Sequence, residues 1–264
     1  MPRLSSLHIY PVKSTAGIQL DRAFTERAGL AFDRRFVLAD RDGRFLTARK
    51  HPRLLQVRGT PTADGLILSA PWRPDLRLRY DEFPLQYLTI SVWDDEIEGQ
   101  HCCEAADQWF AELLGIDCSL RYFGPRSRRQ TDRAPLSPVA FADGYPLLLI
   151  SEASLADLNA RLPEPVTMSQ FRPNMVISGT EPFAEDGWTR IRIGTLELAL
   201  VKPCSRCVLT TIDPVTAERH PRQEPLRTLS GYRRDSDGQV NFGQNLVPLG
   251  EGVLEVGMEV EILA

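Results

Sequence analysis

Two Asp-Gly pairs, Asp42-Gly43 and Asp64-Gly65, each stand between short runs of β-forming residues, and they constrain the fold more than any other feature. Asp-Gly supplies the positive φ that a tight hairpin turn needs, so each pair predicts two adjoining antiparallel strands. Arg35–Asp40 and Arg44–Ala48 flank the first turn, and Leu54–Arg58 and Leu66–Ser69 flank the second. Leu4–Val12 alternates loosely, Leu76–Tyr80 alternates strictly, and Leu88–Trp93 adds a further strand. Together these predict a small antiparallel β module.

A helix is expected over Glu104–Leu114, where Trp109, Phe110, Leu113 and Leu114 make one apolar face and Gly115 is a natural stop. Arg121–Arg133 then holds five arginines among Gly, Pro and Ser with no apolar period. It is expected to be a solvated loop, and it marks the boundary between a first module of residues 1–120 and a second of residues 121–264. The second module opens with a strand at Pro146–Ile150, and Ser151 caps a helix whose Leu155, Leu158 and Leu162 share a face. Strands follow at Met175–Ser178, Thr189–Ile193, Leu196–Val201 and Val208–Ile212, with a closing strand pair around Gly257. Many short strands and two or three helices give a β-rich α+β chain with a barrel-like core.

A net charge of -4 argues against a general nucleic-acid binder, whose affinity rests on neutralising phosphates. No apolar run approaches the roughly 20 residues of a membrane span. The first residues lack an apolar signal core, and 5 cysteines, an odd number, suit a reducing compartment. The expectation is a soluble, cytoplasmic protein.

Against that scarcity of cysteine, Cys204-Ser205-Arg206-Cys207 places two thiols in a loop between strand-like runs. A structural zinc site needs four ligands, and the chain has no second pair and only scattered histidines (His8, His51, His101, His220). A redox dithiol wants a helix N-terminus, and the flanks here are strands. A single thiolate ligand to a soft metal, beside an anion held by Ser205 and Arg206, is a third reading. Two half-buried core thiols are a fourth.

Four further segments look over-specified for packing. Lys13 and Ser14 end Tyr10-Pro11-Val12-Lys13-Ser14, a point charge and a hydroxyl that suit an anionic oxygen. Asp33-Arg34-Arg35-Phe36 and Thr47-Ala48-Arg49 put arginines at one end of a hairpin. In Phe171-Arg172-Pro173-Asn174, Pro173 is expected to hold Arg172 extended. Several cationic side chains at strand ends of an acidic protein point to a buried polyanion.

These segments, with Cys204 to Cys207 running on to Asp213-Pro214, resemble the motifs of the MOSC-domain proteins, and among them the mitochondrial amidoxime-reducing components and their bacterial relatives. The resemblance covers nearly the whole chain in the expected order. It implies a MOSC β-barrel with an N-terminal β module and the molybdenum cofactor, a molybdopterin, between them. It implies that Cys207, and not Cys204, ligates the molybdenum and is the catalytic residue. Lys13, Ser14, Arg34, Arg172, Ser205, Arg206 and Asn245 are then cofactor-binding. The implied reaction is reduction of small N-hydroxylated or N-oxidised compounds; a carrier of the cofactor or of sulfur is the alternative. Some bacterial relatives append a ferredoxin domain, whose Cys-x4-Cys-x2-Cys spacing this chain lacks. It also lacks a Gly-x-Gly-x-x-Gly fingerprint, so electrons are expected from a separate protein of ferredoxin or flavoprotein type.

Overall fold

The computed structural model describes residues 1–264. The first half contains strands β1 (Arg3–Ile9), β2 (Ile18–Leu20), β3 (Arg22–Glu26), β4 (Gly29–Leu30), β5 (Phe36–Ala39), β6 (Arg58–Thr62), β7 (Gly65–Ser69), β8 (Leu76–Arg79), β9 (Tyr87–Val92) and β10 (Asp95–His101). Helix α1 (Glu104–Leu114) and β11 (Ser119–Tyr122) follow. The second half contains β12 (Leu147–Ser151), α2 (Glu152–Arg161), β13 (Met175–Ser178), β14 (Arg190–Ile193), β15 (Leu196–Ser205), α3 (Leu226–Ser230), β16 (Asn241–Pro248), β17 (Gly252–Glu255) and β18 (Val260–Ile262).

The largest sheet runs β18-β14-β15-β16-β12-β13-β1-β2. It curls until its ends meet: Leu4 N–H donates to Met258 O at 2.9 Å and Val260 N–H to Pro2 O at 2.9 Å. These bonds join the start of β1 to the approach to β18, closing a barrel without an open edge there. Its interior holds Leu4, Leu7, Ile9, Leu147, Leu149, Met175, Ile177 and Leu198, all essentially inaccessible to water. This is the β-rich α+β, barrel-type architecture expected from the sequence.

A four-stranded sheet, β5-β11-β10-β9, and a three-stranded one, β6-β7-β8, make the other body, with α1 packed on β11. Its core gathers Phe36, Leu38, Leu54, Leu66, Trp109, Phe110 and Leu120. The chain passes between the two bodies along Tyr10–Lys13, which leaves β1 and runs beside Arg34–Phe36. Arg34 N–H donates to Tyr10 O at 2.9 Å and Lys13 N–H to Phe36 O at 2.8 Å. Ile212, just past the cysteine segment, is buried in this second core, so the seam is stitched from both sides.

Several local expectations are corrected. Leu54–Gln56 is not a strand but part of a 3-10 turn over Pro52–Gln56, which buries Leu54 and Leu55 side by side. Proline at the start of that turn already has the required φ. The chain does fold back at Asp42-Gly43, with Asp40 N–H donating to Arg44 O at 2.9 Å and Leu46 N–H to Leu38 O at 2.7 Å. Arg44–Ala48 nevertheless makes only isolated bridges, Phe45 to Ala39 and Arg44 to Ser91, rather than a strand. Val208–Thr211 is a 3-10 turn rather than a strand. The last two strands do not pair with each other, since β17 lies on β3 and β18 on β14. The segment 121–133 is a solvated loop only in part: Arg126, Arg128 and Arg133 are exposed, as expected. Arg121, Ser127, Arg129 and Thr131 are buried, and Arg129 donates to the carbonyls of Ala140 (3.1 Å), Ala142 (2.5 Å) and Asp143 (3.0 Å). Arg129 also pairs with Asp95 at 2.7 Å, and a guanidinium so neutralised and saturated with acceptors can be buried where a free one cannot.

Candidate functional site

A cavity of about 130 Å³ opens at the seam, and Lys13, Ser14, Arg34, Arg172, Ser205, Arg206, Cys207 and Asn245 all line it. These residues, expected from the sequence to form a site, therefore meet at one place. Thr47 and Arg49 also line this cavity and belong as well to a groove of about 1090 Å³, so the two spaces adjoin.

Three of the lining residues hold a backbone conformation that L-residues rarely adopt: Ser14 at φ 69°, Arg34 at φ 47° and Arg172 at φ 58°. The extended backbone expected at Arg172 is thus corrected. The preference that Pro173 imposes is overridden by tertiary contacts: Arg172 Nη1 donates to Thr15 O at 2.5 Å, and its own carbonyl accepts from Arg34 Nη2 at 3.3 Å. Each such residue costs about 1–3 kcal/mol, and strain of this kind collects at functional sites.

Tyr10 is the post around which the arginines are set. Its ring lies 4.2 Å from the guanidinium carbon of Arg34 and 4.2 Å from that of Arg172. Its hydroxyl donates to Pro173 O at 3.1 Å, and its N–H donates to Asp33 Oδ1 at 2.8 Å. Desolvation pushes the Tyr10 hydroxyl up to about 12, so it stays neutral beside the cations. Arg34 is further held by Asp33 Oδ2 at 2.6 Å and Asn174 Oδ1 at 3.1 Å. Burial, aided by the charge of Arg34, pulls Arg172 down to about 10.

Lys13 is buried, and its ammonium donates to Phe141 O at 2.8 Å and Asp143 Oδ1 at 2.6 Å. Burial lowers its pKa against the pull of Asp143. At Asp143 desolvation opposes ionisation, but the Lys13 charge and hydrogen bond outweigh it and hold the carboxyl below its usual range. Arg35, next to Arg34, instead pairs with Glu26 and is not part of the lining.

The two cysteines are not equivalent. Cys204 and Ser205 lie at the end of β15 rather than on a loop, which corrects the sequence expectation for the first thiol. Cys204 Sγ accepts from Arg206 Nη1 at 2.8 Å and packs against the Phe171 and Phe242 cluster. Both thiols line the cavity, but Cys207 is exposed whereas Cys204 is half-buried. Arg206 Nη2 donates to Phe171 O at 2.5 Å, while its Nε is buried without a partner. Ser205 is exposed, and Asn245 Nδ2 donates to Pro203 O at 3.3 Å.

Lys13, Arg34, Arg49, Arg172 and Arg206 line the cavity against one carboxylate, Asp143. With Asp33 balancing Arg34 from behind the lining, the remaining cationic excess suits an anion with several charges. No three His, Cys, Asp or Glu residues are grouped to hold a metal ion. A metal here would have to bring most of its own ligands. Reading the sequence missed Tyr10, Asp143 and Arg129 as parts of the site. Tyr10 stood inside a flagged segment, whereas Ala142-Asp143-Gly144 carries no motif at all.

Residues 1–117 match the family model described as the MOSC N-terminal beta barrel domain, and residues 137–261 match the MOSC domain. The chain is 39% identical to mitochondrial amidoxime-reducing component 1 of Homo sapiens over 98% of its own length and 82% of the relative. It is 38% identical to the Mus musculus protein of that name, with 98% and 82% covered. Against mitochondrial amidoxime reducing component 2 of Homo sapiens the identity is 35%, with 87% and 72% covered.

Proposed function

The chain belongs to the MOSC-domain proteins, in the family of the mitochondrial amidoxime-reducing components, and from that membership we propose that it is a molybdenum-cofactor-dependent reductase of N-hydroxylated compounds. The observation that carries this reading is the single cavity where Cys207 meets a rim of cations. In the net change the substrate takes up a pair of electrons and a pair of protons. Its N–O bond breaks, the nitrogen leaves carrying hydrogen in place of hydroxyl, and the oxygen leaves as water. Electrons come from a separate ferredoxin- or flavoprotein-type partner.

The donor set fits the cofactor. A molybdopterin brings two sulfur ligands of its own, so one protein thiolate suffices, and one thiol, Cys207, is exposed in the cavity. Its phosphate suits Lys13, Ser14, Arg34 and Arg172, which approach from one side of the seam. Ser205, Arg206 and Asn245 approach from the other, and the buried, unpartnered Nε of Arg206 is a donor awaiting an acceptor. When bound, the cofactor supplies the two-electron chemistry that cleaves the N–O bond. The protein contributes a thiolate, a cationic cradle held rigid by Tyr10 and Asp33, and an open approach through the adjoining groove. That groove favours a reductase over a carrier of the cofactor or of sulfur, which would need no substrate-sized space.

We further place the functional division after residue 120, with the MOSC domain over 121–264, although β1 to β4 pack with the barrel. No helix is long and apolar enough to cross a membrane. Free cysteines throughout fit a reducing compartment such as the cytoplasm.

The test is expression in a host that makes the cofactor, metal analysis, and assay of benzamidoxime reduction with a viologen dye. Bound molybdenum and turnover with the dye, but not with NADPH alone, are expected. Molybdenum without turnover of any N-hydroxylated compound would favour the carrier.

A further inference from the structure

Trp93 occupies the first position of the two-residue connection between β9 and β10, since Val92 pairs with Asp95. Its φ is 57°. Such a position takes Gly or Asn by default, and a bulky side chain there is strained. The residue is 47% exposed, so it is not retained for core packing. Yet its ring is fixed on three sides. The Arg49 guanidinium lies 4.2 Å from the ring, Phe45 packs against it with centroids 5.2 Å apart, and Nε1 donates to Asp143 Oδ1 at 3.1 Å. Trp72 shares the exposure and the positive φ but makes no such contacts, which sets Trp93 apart.

Trp93 and Phe45 line the larger groove, Asp143 lines the cavity with Cys207, and Arg49 lines both. Trp93 therefore stands beside the place where the groove meets the cavity that holds Cys207. Resting on the reductase reading above, the geometry points to Trp93, backed by Phe45, as a specificity-determining platform for planar, conjugated N-hydroxylated substrates. The flat part of the substrate stacks on the indole and the N–O group extends into the cavity. Stacking of this kind requires a π face on the ligand, so small aliphatic N-hydroxylated compounds gain nothing from it.

The experiment compares cofactor-loaded wild type, Trp93→Asn and Trp93→Phe with benzamidoxime and with acetamidoxime, using a dye donor. Asparagine tolerates the positive φ, so the hairpin should fold at least as well without the indole. The expected result is a KM for benzamidoxime raised about tenfold in Trp93→Asn with kcat little changed, as for loss of a stacking contact. Trp93→Phe should restore most of it, and acetamidoxime should be handled alike by all three. Equal effects on both substrates, no effect, or a phenylalanine variant no better than the asparagine one would overturn the platform. Tryptophan emission on titration with benzamidoxime separates this inference from the reductase reading. If wild type turns nothing over, a change in emission that is absent in Trp93→Phe still supports the platform, and no change overturns it.

Discussion

The guanidinium of Arg206 donates to Sγ of Cys204 at 2.8 Å, and this contact makes the two thiols of the Cys-x-x-Cys segment different objects. Both border the cavity, but Cys204 is half-buried against a cation and an aromatic cluster, while Cys207 is exposed. Cys207→Ser should abolish reduction and molybdenum retention, because a neutral hydroxyl is a far poorer soft-metal ligand than a thiolate. Its stability should stay within about 0.5 kcal/mol of wild type, as for an exposed site. Cys204→Ser should keep most activity. Metal content, thermal unfolding and dye-driven turnover of both variants decide it, and equal losses would restore the dithiol reading.

Alkylation should follow the same asymmetry. Burial pushes the Cys102 thiol well above its usual value and Cys118 up to about 12, so neither supplies thiolate near neutrality. Iodoacetamide at pH 8 should therefore modify Cys207 before either of them, as mass spectrometry of the native protein would reveal. Loading with cofactor should protect Cys207.

Arg34 and Arg172 share the Tyr10 ring but should not respond alike to substitution. A charge-assisted contact to a phosphate is worth roughly 1.5–3 kcal/mol, so Arg172→Ala should weaken cofactor retention about 10- to 100-fold. Arg34→Ala should do the same and also lower stability by about 1–3 kcal/mol, since it strips a partner from the buried Asp33. Molybdenum content after dialysis and a denaturant titration separate the two effects. Full metal content with lost turnover would move either residue to substrate binding.

The Asp143–Lys13 pair should leave a mark on acid unfolding. The folded pKa of Asp143 lies below its ordinary value of 3.8, so the folded state binds its proton less readily than the unfolded chain. Its stabilising contribution is present above pH 3.8 and fades as the pH falls toward the folded value. The difference in Tm between wild type and Asp143→Asn should hold from neutrality to about pH 5 and shrink below pH 3.8. A gap independent of pH across that range would show that the ion pair contributes nothing.

Much of the site could be read in the sequence because its residues sit in short stretches where charge or cysteine interrupts a strand pattern. Lys13-Ser14, Arg34, Arg172 and the Cys204–Cys207 segment stand out against apolar runs on either side. Helix α1 and the Ser151 cap were equally legible: an apolar period with a Gly stop, and a serine whose Oγ accepts from Ser154 N at 3.0 Å. What misled was context at a distance. Five arginines in 121–133 read as solvated, which holds for Arg126, Arg128 and Arg133 but not for Arg129, which meets carbonyls 11 to 14 residues further on. Leu54 and Leu55 read as a strand until one turn of 3-10 helix proved able to bury both.

By itself the sequence determined that the chain is β-rich, where most strands and the first two helices lie, and which cations and which thiols merit attention. These follow from local patterns: side-chain period, turn chemistry and caps act over a few residues. Only the tertiary structure decided that Tyr10 carries both arginines, that Asp143 neutralises Lys13, that Cys204 faces Arg206 while Cys207 is more open, and that Trp93 lies against Arg49, Phe45 and Asp143. Each depends on residues from different strands meeting across the seam of two packed bodies. Barrel closure and burial set those distances, and the period of a single strand does not encode them.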